Sequence, residues 1–544
     1  MCHKTLDQIP VWGRCLFESE ACNLAETPSN VEILFALKSM KAFKASRLDG
    51  LQAGFFQRFW LIVGESMKFE IKKIFRTKKM PKHLNRTLIT LIPKQLGLET
   101  ISHFRLISLC NTIYKIVTKI LLHQLKHLMP TLVSPSQTAF ISRRDTNNVI
   151  ITQELVYTIE RKKGKEGFMI IKVDLERAYD QLEWSFVRSM LVSLGFHLDT
   201  VELILSCIST TMAALLFNGD QIGEICPYHG LSQGDLISPY IFILCMEYLS
   251  ALINLKCEEG SWKKIKASRN GHGFSHIFFA DDLLLFAKTN KRNIGVVVEV
   301  LDEICKLSSL KISKEKSKIF FLPNVTAEDK LEIVNLIGIY KTHNLGKCLG
   351  FPIIHKGRRR NEFQFVVERV QAKLDGWKSK CLLPTRRLVL IKAVMTSIPE
   401  YIMQCHKLPV KVCEEVNKLV RDFLWGSTVD KKKIHLVGWN KVTNPLNLGG
   451  LGIVEMKARN SALLAKLCWR IASSLNMPWA QMLTCKYLTP HRLRGNSRKQ
   501  PAPWIWKACK EGGVNFNKGL RWSIANGESV SAWTDFWLPS GPLR

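Results

Sequence analysis

The chain has 544 residues, enough by length for roughly three or four ordinary domains. Apolar residues make up 46% and charged residues 23%, which excludes bulk disorder and a collagen-like fibre. Lysine and arginine outnumber aspartate and glutamate by 78 to 46, a formal charge of +32, so the natural partner is a polyanion. The strongest apolar run, Tyr240–Met246, is broken by Glu247, so no membrane span is expected. The opening MCHKTLDQIPVWGRC has no apolar signal core, and secretion is not expected. Sixteen cysteines are scattered singly without a CxxC pair, which reads as reduced thiols in an intracellular protein rather than a zinc ribbon or disulfide framework.

Pro28-Ser29-Asn30 predicts a helix start, with Val31, Leu34, Phe35 and Leu37 as a buried stripe to about Met40. A second helix is expected from Gly50 to about Phe75, its apolar side carrying Phe55, Phe56, Phe59, Trp60, Ile62 and Val63. Thr87–Pro93 reads as a strand. Leu109–Met129 reads as a long helix stopped by Pro130, and Asn148–Glu160 as another. Phe168–Asp174 is a buried strand by composition, and strand signals return at Met212–Phe217 and His276–Phe286, on either side of an apolar helix over Pro239–Leu255. Helices alternating with a few strands indicate an α+β core. Beyond Gly357 the pattern turns helical, with Phe363, Val366, Val367, Val370, Leu374 and Trp377 on one face.

The charge is uneven. Residues 355–544 hold 33 basic and 12 acidic side chains, a net of +21, and ten of the fourteen tryptophans. Cations interleaved with large aromatics suit phosphate neutralisation and base stacking, although a solvated basic helix face would look the same.

Two acidic strings carry the chemistry. In Phe278-Phe279-Ala280-Asp281-Asp282-Leu283-Leu284-Leu285-Phe286, adjacent acids sit between apolar runs, as at a hairpin tip. Neighbouring carboxylates repel unless a cation lies between them, so the string is either a divalent-metal site or a solvated Asp-Asp turn. In Lys172-Val173-Asp174-Leu175-Glu176-Arg177-Ala178-Tyr179-Asp180 an acid ends a buried strand. Adjacent strand ends can gather such carboxylates around a metal pair, which in general activates a 3′-hydroxyl and stabilises leaving pyrophosphate. Glu176 or Asp180 is the alternative partner, but both are expected in the following helix, facing solvent.

Asp174 with Tyr179, then Gly230-Leu231-Ser232-Gln233-Gly234 with Ser238-Pro239, then Phe279-Ala280-Asp281-Asp282 resembles, in that order, a reverse transcriptase. Leu91-Ile92-Pro93-Lys94, Phe104–Asn111, Ser134–Phe140 and Cys348-Leu349-Gly350-Phe351-Pro352 narrow the resemblance to the polymerase of plant non-LTR (LINE-type) retrotransposons. It covers about Lys44 to Pro352.

The resemblance implies a right-hand polymerase: fingers, a palm with an antiparallel sheet, and a helical thumb. Residues 1–86 would be a helical region leading into the fingers, 87–354 fingers and palm, and 355–544 a basic, tryptophan-rich thumb and extension. Asp174, Asp281 and Asp282 would be the catalytic carboxylates, holding two Mg²⁺ with Mn²⁺ as a substitute. Tyr179 would be the gate that excludes a 2′-hydroxyl, unless it is a packed core tyrosine. Gln233 and Gly234 would line the nucleotide pocket. Lys94 and Arg105 would contact the triphosphate, unless they are surface cations. Lys316 would protonate pyrophosphate, with Lys314 and Lys318 as competitors, and Leu349-Gly350 would lie near the primer grip. The implied partners are an RNA template, a DNA primer and dNTPs, and the family implies a nuclear location.

Several positions depart from the family pattern. Ser46–Gly50 replaces a Pro-Gly-Pro-Asp-Gly-like string, leucine stands at 106 and 236 where proline is usual, and Arg143 replaces a glycine before Arg144. The endonuclease, zinc-binding and RNase H-like parts expected of the full element protein are not in this sequence, which suggests a fragment of a decaying copy. A catalytically decayed nucleic-acid-binding relic and a two-metal nuclease are the competing readings, though hydrolysis needs no sugar gate.

Overall fold

The computed structural model describes residues 14–538 apart from 45–47, 95–96, 98, 101–102, 143, 145, 163–165, 349, 354–362, 375–381, 428–431, 488–503, 520, 522, 525, 529 and 534–536. Ser46, Arg47, Arg143, Leu349 and Trp377 therefore lie outside the described residues. The chain divides into two units. The first comprises 1–148, 164–265 and 274–345, and the second 149–163, 266–273 and 346–544.

The first unit is α+β, with two main sheets. Strands β1 (Arg86–Pro93), β2 (Phe104–Cys110), β4 (Met212–Phe217) and β5 (Asp220–Ile225) form one, in the order β2-β1-β4-β5. Strand β3 (Phe168–Glu176) is central to the other. Two short strands, β6 (Ile265–Lys266) and β7 (Gly273–Phe274), precede β8 (His276–Phe279) and β9 (Asp282–Lys288). Then come β10 (Lys311–Ile312), β11 (Lys318–Phe321) and β12 (Lys341–Thr342), and the second sheet runs β12-β11-β3-β9-β8, with β10 also on β3. β3 is flanked on both edges, which accounts for the wholly buried run Phe168–Ile171. From Lys172 onward it alternates: Val173 and Leu175 are buried, while Lys172, Asp174 and Glu176 share the more open face.

The helix Ser238–Glu258 packs against the helices Trp184–Ser193 and Lys291–Ser308. By length and composition it could cross a membrane, yet 67% of its apolar window is buried within the fold and Glu247 is buried at its middle. Its sequence fits a core helix that is apolar all round. The thirteen cysteines whose side chains are described are free; six are buried and three exposed.

Several predicted elements need correction. The helix Asn30–Lys38 starts at Ser29, whose hydroxyl accepts from Glu32 N while the Glu32 carboxylate accepts from Ser29 N. Its buried face is Ile33, Ala36 and Leu37; Val31 and Phe35 are exposed, Phe35 instead setting its ring edge-on to His123. Spacing alone could not choose between the two apolar stripes. The expected helix over 50–75 is two helices, Ala53–Arg58 and Trp60–Thr77, broken at Phe59. Ala53, Phe56, Met67, Ile71, Ile74 and Phe75 are buried, whereas Ile62 is exposed and Phe55 and Phe59 partly so. Leu109 belongs to β2, not to a helix; the helix runs Thr112–Lys126, and Pro130 lies inside the separate turn Met129–Leu132. A proline missing its N–H is tolerated in a first helical turn, so Pro130 starts a turn rather than stopping a helix. Strand β5, exposed throughout, has no apolar alternation by which it could be found.

In the second unit, Phe363, Val366, Val370 and Leu374 are buried at the start and along the face of Gln364–Leu374, as the spacing predicts. The helices Met456–Ser473 and Trp504–Gly519 pack closely. A Cβ added at Gly512 would stand 2.3 Å from the Leu464 carbonyl oxygen, so only glycine permits that approach. Glu154, fully buried, accepts from Lys486 Nζ and Tyr487 OH, each at 2.5 Å, tying the helix Pro478–Tyr487 to residues of the helix Asn147–Ile159.

Candidate active site

The antiparallel register of β3 and β9 sets Asp174 directly opposite Asp282. Side chains paired across such strands lie on one face of the sheet. Asp281 sits in the two-residue turn between β8 and β9, where Phe279 pairs with Asp282. Asp174 and the adjacent pair Asp281 and Asp282, more than a hundred residues away in sequence, are thus brought to one end of one sheet.

Their electrostatics fit crowded carboxylates. Burial is the main cause raising the Asp174 carboxyl above its usual value; Lys316 pulls it down, Asp282 pushes it up, and Lys172 pulls it down. Asp281 is exposed at the turn, yet crowding by protein atoms raises its carboxyl; its own backbone N–H opposes that, Asp282 and Asp174 add to it, and Arg105 opposes it. Lys172 Nζ stands 3.6 Å from Asp282 Oδ1. The backbone of the strand end is pinned too: Ser317 Oγ accepts from Asp174 N at 3.0 Å, and the Asp174 carbonyl accepts from Ser313 N at 2.9 Å.

Tyr179 stacks on Phe242, with ring centroids 4.7 Å apart, and burial with the Asp281 charge drives its hydroxyl far above the normal tyrosine range. The ring is therefore both packed and beside the acids. Gly230 N donates to the Leu182 carbonyl and Leu231 N to the Tyr179 carbonyl, which fastens the Gly230–Gly234 loop over Tyr179. The Gln233 carbonyl accepts from Ser108 N on β2 at 2.6 Å. Gly234 has φ +114, and a Cβ there would meet Ser108 O at 2.6 Å, so this backbone approach requires glycine.

Asp180 corrects the expectation that it faces solvent. It lies in the turn Ala178–Gln181, half-buried, its carboxyl raised by burial and lowered by Arg177, Lys94 and a hydrogen bond to the Gln233 side chain. Glu176 ends β3 rather than entering the helix, and it is exposed. Lys94 and Arg105 are exposed at the β1–β2 hairpin, and their charges act on Asp180 and Asp281 respectively. Lys316 is the cation of the Lys314–Lys318 run that acts on Asp174, whereas Lys314 Nζ lies near Gly338 and Lys318 pairs with Lys172 across strands.

Among the described residues no three His, Cys, Asp or Glu side chains converge into a ready-made metal cage. The donor chemistry of the acids nevertheless suits Mg²⁺. That ion binds through one or two carboxylates together with water and substrate phosphates rather than in an all-protein cage. Asp174 and Asp282, aligned across strands and crowded with Asp281, supply such oxygens.

Lys172, Gln137 and Asn148 were missed as candidates from sequence. The period-two face that exposes Asp174 also exposes Lys172, and that signal was legible. Gln137 and Asn148 act through backbone groups of the β8–β9 turn and of β8 respectively, which no spacing rule reveals.

Residues 92–353 match the family described as "Reverse transcriptase (RNA-dependent DNA polymerase)". A 195-residue stretch is 34% identical to a putative ribonuclease H protein of Arabidopsis thaliana, covering 35% of this chain and 32% of that one. An uncharacterized 149 kDa protein of the transposon TX1 of Xenopus laevis is 25% identical over 459 residues, 80% of this chain and 32% of its own length. The Pol polyprotein of the retrotransposable element R2DM of Drosophila melanogaster is 23% identical over 397 residues, 70% of this chain and 35% of that one. The chain spans about a third of the length of these curated relatives. The acidic sheet end thus belongs to a polymerase-type reverse transcriptase domain. Residues 92–353 have the character of a reverse transcriptase domain, and the relatives they resemble include proteins of transposable elements.

Proposed function

We propose that this domain extends a DNA primer on an RNA template, with dNTPs as substrates. The register that places Asp174 opposite Asp282, with Asp281 at the adjoining turn, carries the proposal. In a right-hand arrangement the β3 sheet is the palm, the β1–β2–β4–β5 sheet belongs to the fingers, and the C-terminal helices are the thumb. Asp174, Asp281 and Asp282 would hold the divalent ions. Bound there, such ions supply charge neutralisation at the reacting phosphate and a more acidic primer hydroxyl.

The remaining residues have ordinary electrostatic and steric work. Arg105 and Lys94 hold the triphosphate, Arg105 with a planar fork suited to phosphate oxygens and Lys94 as a compact charge. Lys316, beside Asp174, carries a proton that leaving pyrophosphate can accept as the primer 3′-oxygen bonds to the α-phosphorus. Gln233, tied to Asp180, and Gly234 shape the base and sugar pocket. The Tyr179 ring, braced by Phe242, fills the space a 2′-hydroxyl would occupy.

Tyr179→Ala should raise ribonucleotide incorporation relative to deoxyribonucleotide by about 10- to 100-fold, the scale of discrimination a single steric contact supplies. Single-nucleotide extension with each substrate measures the ratio. An unchanged ratio in a folded, active variant would make Tyr179 a core tyrosine and nothing more.

A further inference from the structure

The Ser134–Phe140 segment, so far without a role, lies along the outer edge of β8. Phe278 N donates to Ser136 O at 2.8 Å, Thr138 N donates to Phe278 O at 3.2 Å, and Gln137 bridges Phe278 in parallel. The segment thus covers a strand edge that would otherwise present unpaired backbone groups.

Within it, Gln137 is wholly buried and its amide oxygen accepts two backbone bonds, from Ala139 N and from Ala280 N, both at 3.1 Å. Ala280 is the residue before Asp281 in the turn, and its φ is +55, a left-handed conformation that hairpin turns normally assign to glycine. A non-glycine residue persists there only where its surroundings over-determine it. Gln137 supplies that constraint.

The segment is itself fixed from behind. Asn148 Nδ2 donates to Ser136 O at 2.9 Å and to Phe278 O at 2.7 Å. The buried Arg144 guanidinium donates to the carbonyls of Pro130, Val133 and Ser134 at 3.0, 3.1 and 2.9 Å. Glu247 accepts from Ser134 N at 2.9 Å and from Ser134 Oγ at 3.2 Å. Arg144, Asn148 and, from the core helix, Glu247 thus brace the segment that holds the turn.

We propose that Gln137 is a positioning residue for the catalytic turn: by holding Ala280 N–H it fixes the strained turn that presents Asp281 beside Asp282. This inference rests on the polymerase reading of the three acids. It makes Gln137 neither a metal ligand nor a substrate contact.

The test uses the full chain and three variants, Gln137→Met, Ala280→Gly and both together, compared at equal folded concentration. Methionine keeps much of the glutamine volume and removes the acceptor. Gln137→Met should speed backbone hydrogen exchange in the peptide spanning 278–282 by at least about tenfold, since the Ala280 amide loses its acceptor. Mn²⁺ affinity, read by electron paramagnetic resonance without substrate, should weaken several-fold. In primer extension kcat should fall by about 100-fold, the cost of misplacing a reacting group by about 1 Å, while KM for primer–template stays unchanged. Ala280→Gly should restore part of the Mn²⁺ affinity and kcat in the double variant, because glycine adopts the turn without strain.

Unchanged exchange and Mn²⁺ affinity in folded Gln137→Met would overturn the proposal. So would losses that Ala280→Gly leaves in place, which would assign Gln137 a purely structural role. If the unaltered chain extends no primer, the polymerase reading fails, while exchange and Mn²⁺ binding still decide the role of Gln137.

Discussion

The end of the β3–β9 sheet and the C-terminal helical unit solve opposite electrostatic problems. In the sheet, like charges are forced together: the backbone register puts Asp174 against Asp282, and crowding raises the Asp174 and Asp281 carboxyls. In the second unit, like charges are spread over helix surfaces. On Met456–Ser473, for example, Met456, Leu464, Leu467 and Ile471 are buried while Lys457 and Lys466 are exposed, and the helix carries no acidic residue. Function held by register should fail at a single substitution. Function held by a distributed field should erode one charge at a time.

The largest effect is expected at Asp174. Asp174→Asn should abolish primer extension, a loss of about 1,000-fold or more if about 4 kcal/mol of charge stabilisation disappears, while RNA affinity barely moves. The same substitution should raise the melting temperature of the metal-free protein near neutral pH. A carboxyl pushed above its usual value disfavours its charged form in the fold, so at pH above both values the charge subtracts from stability and its removal restores it. Thermal denaturation beside the extension assay checks both halves; an active Asp174→Asn protein would break the contrast.

A smaller effect is expected from the distributed charges. Replacing Lys457 and Lys466 by Gln in the full chain should weaken RNA binding modestly and lower the slope of log affinity against log salt by about 1 to 2. Binding titrations across salt concentrations give that slope. A flat dependence before and after substitution would leave the basic helices as a solvated face.

The smallest effects concern the two leucines that stand where proline is usual. Leu106 lies within β2, the edge strand of its sheet. Ser108 N donates away from β1 to the Gln233 carbonyl, and strand alternation turns Leu106 N–H to that same outer side. Proline at 106 therefore breaks no ladder bond, and Leu106→Pro should stabilise by about 0.4–1 kcal/mol. Leu236 differs, since its N–H donates to Asp235 Oδ1 at 2.6 Å. Leu236→Pro removes that donor and should cost about 1–3 kcal/mol unless the Asp235 carboxylate finds another partner. Chemical denaturation of the two single variants separates them; equal effects would show that the Asp235 bond is not what distinguishes the sites.

Sequence reading succeeded where chemistry is local and patterned. The strands bearing Asp174 and Asp282 are apolar runs with an acid at one end, and the order of acids, tyrosine and glycine loop carries the family. It failed where two apolar stripes compete on one helix, as with Phe35 against Ile33, and where a strand has no apolar face, as in β5. It also failed for side chains whose partners are backbone groups far along the chain. Gln137 reaches Ala280 across 143 residues, and Asn148 reaches Phe278 across 130, separations over which periodicity carries no information. Asp180 was misplaced for a related reason: its proximity to Gln233 exists only once the Gly230–Gly234 loop has closed over Tyr179.

Strand register, with the turn that Gln137 holds, is what assembles a working polymerase site from Asp174, Asp281 and Asp282. The most direct test of this assembly is primer extension on a homopolymer RNA template by the unaltered chain and by an Asp281→Asn, Asp282→Asn variant, each supplied with Mg²⁺ and, separately, Mn²⁺. Metal-dependent DNA synthesis by the first and none by the second, with equal RNA binding by both, is the predicted result. Synthesis that survives loss of both turn acids, or RNA binding by the unaltered chain with no synthesis under either ion, would contradict it.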